Sequence, residues 1–114
     1  MSSGLRTATL LVVKPTGTAK EVHKMAVTMF IRHRVADFGT WHRVYQEVEP
    51  MQKSGGVIAE SVYQATSDPN DVTVTHDFDT ERQAERFAAS PDLKTAMERA
   101  GVIEQPTIWI TARS

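Results

Sequence analysis

Residues 72–101 read VTVTHDFDTERQAERFAASPDLKTAMERAG. Val72, Val74, His76 and Phe78 alternate with Thr73, Thr75 and Asp77. A period of two, rich in β-branched residues, predicts a strand with one mostly apolar face. His76 interrupts that face. Thr80 stops the strand and can cap a helix, and Gln83, three residues on, can complete a capping box. Ala84, Phe87 and Ala88 follow at helical spacing. Ser90-Pro91 reads as a second cap, with proline at the first helical position, where its missing N–H costs nothing. Leu93, Ala96, Met97 and Ala100 resume the apolar stripe. Gly101 fits the left-handed position just past the helix end.

Upstream, 25–35 predicts a strand with apolar residues on both faces. Val27, Met29, Ile31 and His33 lie on one side, Thr28, Phe30 and Arg32 on the other. Such a strand belongs in the middle of a sheet covered on both sides. Asp37 caps the next helix, whose stripe is Phe38, Trp41, Tyr45, Val48 and Met51. Pro50 should end or kink that helix late, and Ser54-Gly55-Gly56 stops it. A strand over 57–66 and turn chemistry over 67–71 then form a hairpin with the Val72 strand. Pro106 opens a last strand, with Ile108 and Ile110 on one face and Trp109 on the other.

Strand-helix-strand, repeated, is an α+β pattern: a ferredoxin-like βαββαβ domain over 25–114, with an antiparallel four-stranded sheet. Both helical segments cover one sheet face. The other carries Phe30 and Trp109 and calls for cover, most cheaply from a second copy. Residues 1–24 read as an N-terminal extension. Within it, Leu5–Val13 has strand character, and Thr16–Lys24 reads as a linker. The segment is either an extra edge strand or arm, or a remnant upstream of the domain.

Composition narrows the function classes. The 114 residues match one domain and are 40% hydrophobic. Thirteen basic residues nearly balance fourteen acidic ones, so no global field recruits nucleic acid or an anionic membrane. The absence of cysteine excludes disulfides, thiolate metal sites and cysteine nucleophiles. The run Leu10–Val13 is too short to span a bilayer, and the N-terminus lacks a signal-peptide core. The expectation is a soluble cytoplasmic protein with neither nucleic-acid nor membrane partners.

The histidines are the candidate chemistry, because imidazole titrates near neutral pH. His76 reads either as a core histidine bonded to a nearby hydroxyl or backbone group, or as a pocket base. His33, at a strand end beside arginines, reads as a solvated or capping residue or as a catalytic one. Trp41 and Tyr45 sit one turn apart and either pack in the core or wall a pocket for a planar ligand; His42 lies at the stripe's margin. No histidine pair has helical metal-ligand spacing with a carboxylate nearby, and His23 lies in the linker, so no metal site is expected.

The His33-Arg34-Val35 strand exit, the Ser67-Asp68-Pro69-Asn70 turn and the Val72–Asp79 strand running into Thr80-Glu81 resemble the antibiotic biosynthesis monooxygenase family. The resemblance covers roughly Met25 to Ala112. It implies two subunits forming a dimeric α/β barrel, with a pocket between helices and sheet in each. The family includes cofactor-free oxygenases of anthrone- or quinol-like aromatics, haem-degrading enzymes and many proteins of no assigned activity. His33 stands where haem-degrading members place asparagine, Phe78 where many carry tryptophan, and His76 where glutamate is common. Ala88 falls near the position of their iron-binding histidine. These departures argue against haem degradation and also weaken the oxygenase assignment.

The resulting expectation is a cofactor-independent monooxygenase with no cofactor, acting on a small polycyclic or quinol-like aromatic. His76 and His33 are its candidate catalytic residues. Trp41, Tyr45 and Phe78 are the candidate substrate contacts. The alternative is a non-catalytic homodimer, a hydrophobic-ligand-binding or stress-related protein of the same fold. An isomerase or cyclase using the same pocket without oxygen is the third.

Overall fold

The computed structural model describes residues 26–114. The expected Leu5–Val13 strand, the linker and His23 lie outside the described residues. Eight elements follow in order: β1 (Val27–Arg34), α1 (Phe38–Glu47), α2 (Glu49–Ser54), β2 (Ala59–Ala65), β3 (Asp68–Phe78), α3 (Glu81–Ala88), α4 (Pro91–Arg99) and β4 (Thr107–Ala112). The strands form one antiparallel sheet in the order β2-β3-β1-β4. This is the ferredoxin-like arrangement, in which β3 slots between the two strands of the first βαβ unit.

The inward face follows from the alternation. Val27, Met29, Ile31 and His33 of β1, and Val72, Val74, His76 and Phe78 of β3, are all buried. Register sets Met29 opposite His76 and His33 opposite Val72. The opposite face pairs Phe30 with Trp109, whose rings stack 5.1 Å apart. Trp109 remains 41% exposed there.

The helix starts form as their caps predict. Thr80 Oγ1 accepts from Gln83 N while Gln83 Oε1 accepts from Thr80 N, a closed capping box at α3. Ser90 caps α4, with Pro91 in its first turn. Gly101, at φ 83°, lets the chain leave α4 and bond back, Val102 N donating to Met97 O. Asp37 caps α1 by accepting from Thr40 N at 2.9 Å.

The expected break at Pro50 takes the form of a restart, and the expected hairpin turn needs correction. Helix α1 ends at Glu47, and Pro50 sits in the first turn of a separate helix, α2. Proline has no N–H to continue the α1 ladder, so the chain breaks before it and restarts with proline where that loss is harmless. The hairpin turn is not 67–71. Only Thr66 and Ser67 turn, and β3 begins at Asp68. Ala65 pairs with Asp68 and Gln64 with Val72, leaving Pro69, Asn70 and Asp71 bulged opposite β2. The bulge locks the β1 exit. Asn70 O accepts from Val35 N, and Asn70 Oδ1 accepts from Phe38 N at the start of α1.

Candidate functional site

Buried residues fall into two clusters beneath the helices. Val27, Met29, Ile31, Phe78, Ala84, Phe87 and Leu93 form one, and Val35, Trp41, Val44, Val72, Val74 and Ala100 the other. Between sheet and helices lies a cavity of about 40 Å³, bordered by His33, His76, Trp41, Tyr45 and Gln52, with Val44, Val74, Leu93 and Met97 among its apolar walls. That volume admits water or dioxygen, and a planar aromatic would need the walls to move.

β3 carries His76 to the cavity because the period of two continues Val72 and Val74 inward. The ring is 2% exposed. Its Nε2 lies 3.1 Å from Tyr45 Oη, and its Nδ1 finds no hydrogen-bond partner among the described residues. Burial pushes its pKa down to about 4, opposed by the nearby Glu60 and Asp77 carboxylates. Imidazole 76 is therefore neutral at pH 7.

β1 carries His33 to the cavity by the same alternation, so the strand-end residue is neither solvated nor a cap. It is 4% exposed, and neither ring nitrogen finds a partner among the described residues. Burial alone lowers its pKa to about 4. The Trp41 ring meets it edge-on at 5.8 Å. Since His33 sits opposite Val72, four positions along β3 from His76, the two imidazoles border the cavity with Cα atoms roughly 13 Å apart along the strand direction. Both imidazoles line the same cavity from its two ends. Among the described residues no group of three or more His, Asp or Glu is placed to hold a metal ion.

Helix α1 supplies Trp41 and Tyr45, one turn apart and stacked at 4.9 Å. Tyr45 Oη donates to Glu60 Oε1 at 2.7 Å. Burial raises the phenol pKa far above its ordinary value, the Glu60 bond and charge raise it further, and Gln52 acts the other way. Phe78 lies apart from the cavity. It is fully buried beside Phe87, their centroids 5.6 Å apart, and meets His76 only edge-on at 6.5 Å. His42 is half-buried and stacks on Phe38.

Two polar participants escaped the sequence reading. Gln52, buried at the cavity, lies seven residues past Tyr45 and eleven past Trp41, a spacing that keeps one helical face. That spacing was readable, although the α1–α2 break disturbs it. Glu60 shares the inward face of β2 with Val62, but its position opposite His76 comes from strand register alone.

No protein-family model matches the chain, and no curated protein matches it. Solved structures do match in fold. A Bordetella bronchiseptica protein provisionally named an antibiotic biosynthesis monooxygenase superposes with a TM-score of 0.69 at 12% identity, covering 79% of this chain and 98% of that one. A conserved protein from Methanosarcina mazei Go1 gives 0.64 at 16% identity, covering 83% and 99%. SnoaB of Streptomyces nogalater, a cofactor-independent oxygenase, gives 0.62 at 15% identity, covering 79% and 95%. The chain thus has the ferredoxin-like fold of structures named as antibiotic biosynthesis monooxygenases.

Proposed function

We propose that this protein is a cofactor-independent monooxygenase acting on a small planar aromatic with an acidic methylene or quinol group, and that His76 is its base. The observation that carries the reading is a buried, neutral imidazole that borders an apolar cavity and has one nitrogen without a partner among the described residues. Its fold is that of a named cofactor-independent oxygenase. His76 is preferred over His33 because a hydrogen bond to Tyr45 holds its ring.

For a methylene substrate, His76 removes one C–H proton, and the carbanion so formed faces an imidazolium in low dielectric. The carbanion supplies both electrons to dioxygen, giving a carbon-bound peroxide that takes back the proton. Loss of the second C–H proton breaks the O–O bond. One oxygen stays as a carbonyl, and the other leaves as water with the two substrate hydrogens. His33 is neutral and carries one N–H, which is free to donate to the peroxide.

Admission of the ring requires a yielding wall. Met97 borders the cavity on one side and an open groove of about 740 Å³ on the other. An unbranched thioether can change rotamer at small cost. The outer sheet face, with the Phe30–Trp109 stack and exposed Tyr63, pairs two chains as a homodimer. Light scattering checks this, and Trp109→Lys should shift the chain to monomer.

Oxygen uptake with anthrone and hydroquinones tests the activity. The wild type should consume oxygen, and His76→Ala should lose at least about a hundredfold in rate. Equal rates in the two would remove His76 as base. The apolar walls of the cavity support a second reading, a non-catalytic homodimer that binds a hydrophobic ligand once those walls move. Aromatics that raise the thermal midpoint without oxygen uptake would select it.

A further inference from the structure

We propose that Glu60 and Tyr45 are positioning residues for His76, fixing the imidazole as its Nε2–H tautomer so that Nδ1 is the proton acceptor. The inference rests on the reading of His76 as base, and it adds Glu60 to the site and gives Tyr45 a role other than substrate contact.

The argument is one of proton counting. A phenol has a single O–H. Tyr45 directs it at Glu60 Oε1, 2.7 Å away. Its oxygen can then only accept from His76 Nε2 at 3.1 Å, so Nε2 carries the hydrogen. A neutral imidazole has one N–H, which leaves Nδ1 with a bare lone pair. That nitrogen is the one without a partner among the described residues.

The chain of groups is held from three elements. Glu60 and His76 are cross-strand partners in register on β2 and β3. Tyr45 reaches them from α1, stacked on Trp41 and with its ring nearly parallel to the imidazole, at 13°. When His76 takes a proton, the new positive charge is paired through the phenol with the Glu60 carboxylate, as a carboxylate supports a catalytic histidine elsewhere. Glu60 is exposed, so it can be changed without disturbing buried packing.

The tautomer is directly observable. Long-range proton–nitrogen NMR of the full ¹⁵N-labelled chain at neutral pH distinguishes the two imidazole nitrogens. The wild type should show a protonated Nε2 and an unprotonated Nδ1 at His76. Glu60→Gln, which keeps an accepting oxygen, should retain that pattern. Tyr45→Phe and Glu60→Leu should convert it to a mixture of tautomers. With an oxygen-consuming substrate, those two variants should lose about tenfold to a hundredfold in kcat with KM little changed. A wild-type His76 protonated at Nδ1, or an unaltered pattern in Tyr45→Phe, would overturn the proposal. If the wild type consumes no oxygen, the functional reading fails while the nitrogen shifts still decide this one.

Discussion

The two buried clusters lie on the same sheet face and differ in what they tolerate. Beneath α3, Phe78, Phe87, Met29 and Ala84 pack as an apolar cluster that meets the His76 ring only at its border, edge-on to Phe87 at 5.4 Å. Beside α1, the packing encloses His33, His76 and Gln52, and the two imidazoles leave three nitrogens without partners among the described residues. One half therefore gains stability from every contact, whereas the other carries desolvated polar groups that lower it. A buried polar group that stability does not explain is a reason to suspect chemistry.

Substitutions should expose this difference. The largest effect belongs to the apolar half, where Phe78→Ala should cost roughly 3–5 kcal/mol in urea unfolding. A loss below about 1 kcal/mol would show that this cluster is loosely packed.

Acid should act on the other half. His33 and His76 resist protonation when folded, with pKa values near 4 against 6.5 in the unfolded chain. The unfolded state therefore binds more protons between these values, and stability should fall as pH drops from about 6.5 to about 4. Their contribution should level off below that. Asp37, Asp68 and Asp71 are held below the usual carboxylate range by their bonds to Thr40, to Asn70 and Arg34, and to Arg32, and so add their loss at still lower pH. Removing either histidine should flatten the upper part of the curve, and an unchanged curve would contradict the burial argument.

Gly55→Ala tests the seam between α2 and α3. A Cβ there would meet Phe87 Cδ1 at 2.6 Å, so the ring must shift at a cost of roughly 1–3 kcal/mol. The smallest change has the opposite sign. His33→Leu replaces an unpaired buried imidazole with an apolar side chain and should stabilise the fold by about 1 kcal/mol while lowering oxygen uptake. A destabilised His33→Leu would mean that the imidazole is paired in solution.

Much of the scaffold was legible because its signals are local. Alternation in 72–78 set the inward face of β3, and Thr80, Gln83, Ser90, Pro91 and Gly101 marked helix ends through groups a few residues apart. The Asp68-Pro69-Asn70 run misled because turn-forming residues also suit a bulge, and only the pairing with β2 and β1 distinguishes the two. The family resemblance sets Phe78 at a site position, where many members carry tryptophan. Distance along the strand and the position of α3 place it in the solid cluster instead.

The amino-acid order alone determined which side chains of β3 face inward, where helices begin and end, and that His76 would be carried into an apolar interior. These follow from periods of two and 3.6 residues and from backbone groups near in sequence. Tertiary structure decided that Glu60 stands across from His76, that Tyr45 bridges them, and that the space beside them is about 40 Å³. Strand register and helix packing join residues distant in the chain, and no local pattern encodes the hydrogen bond that selects one nitrogen of an imidazole over the other.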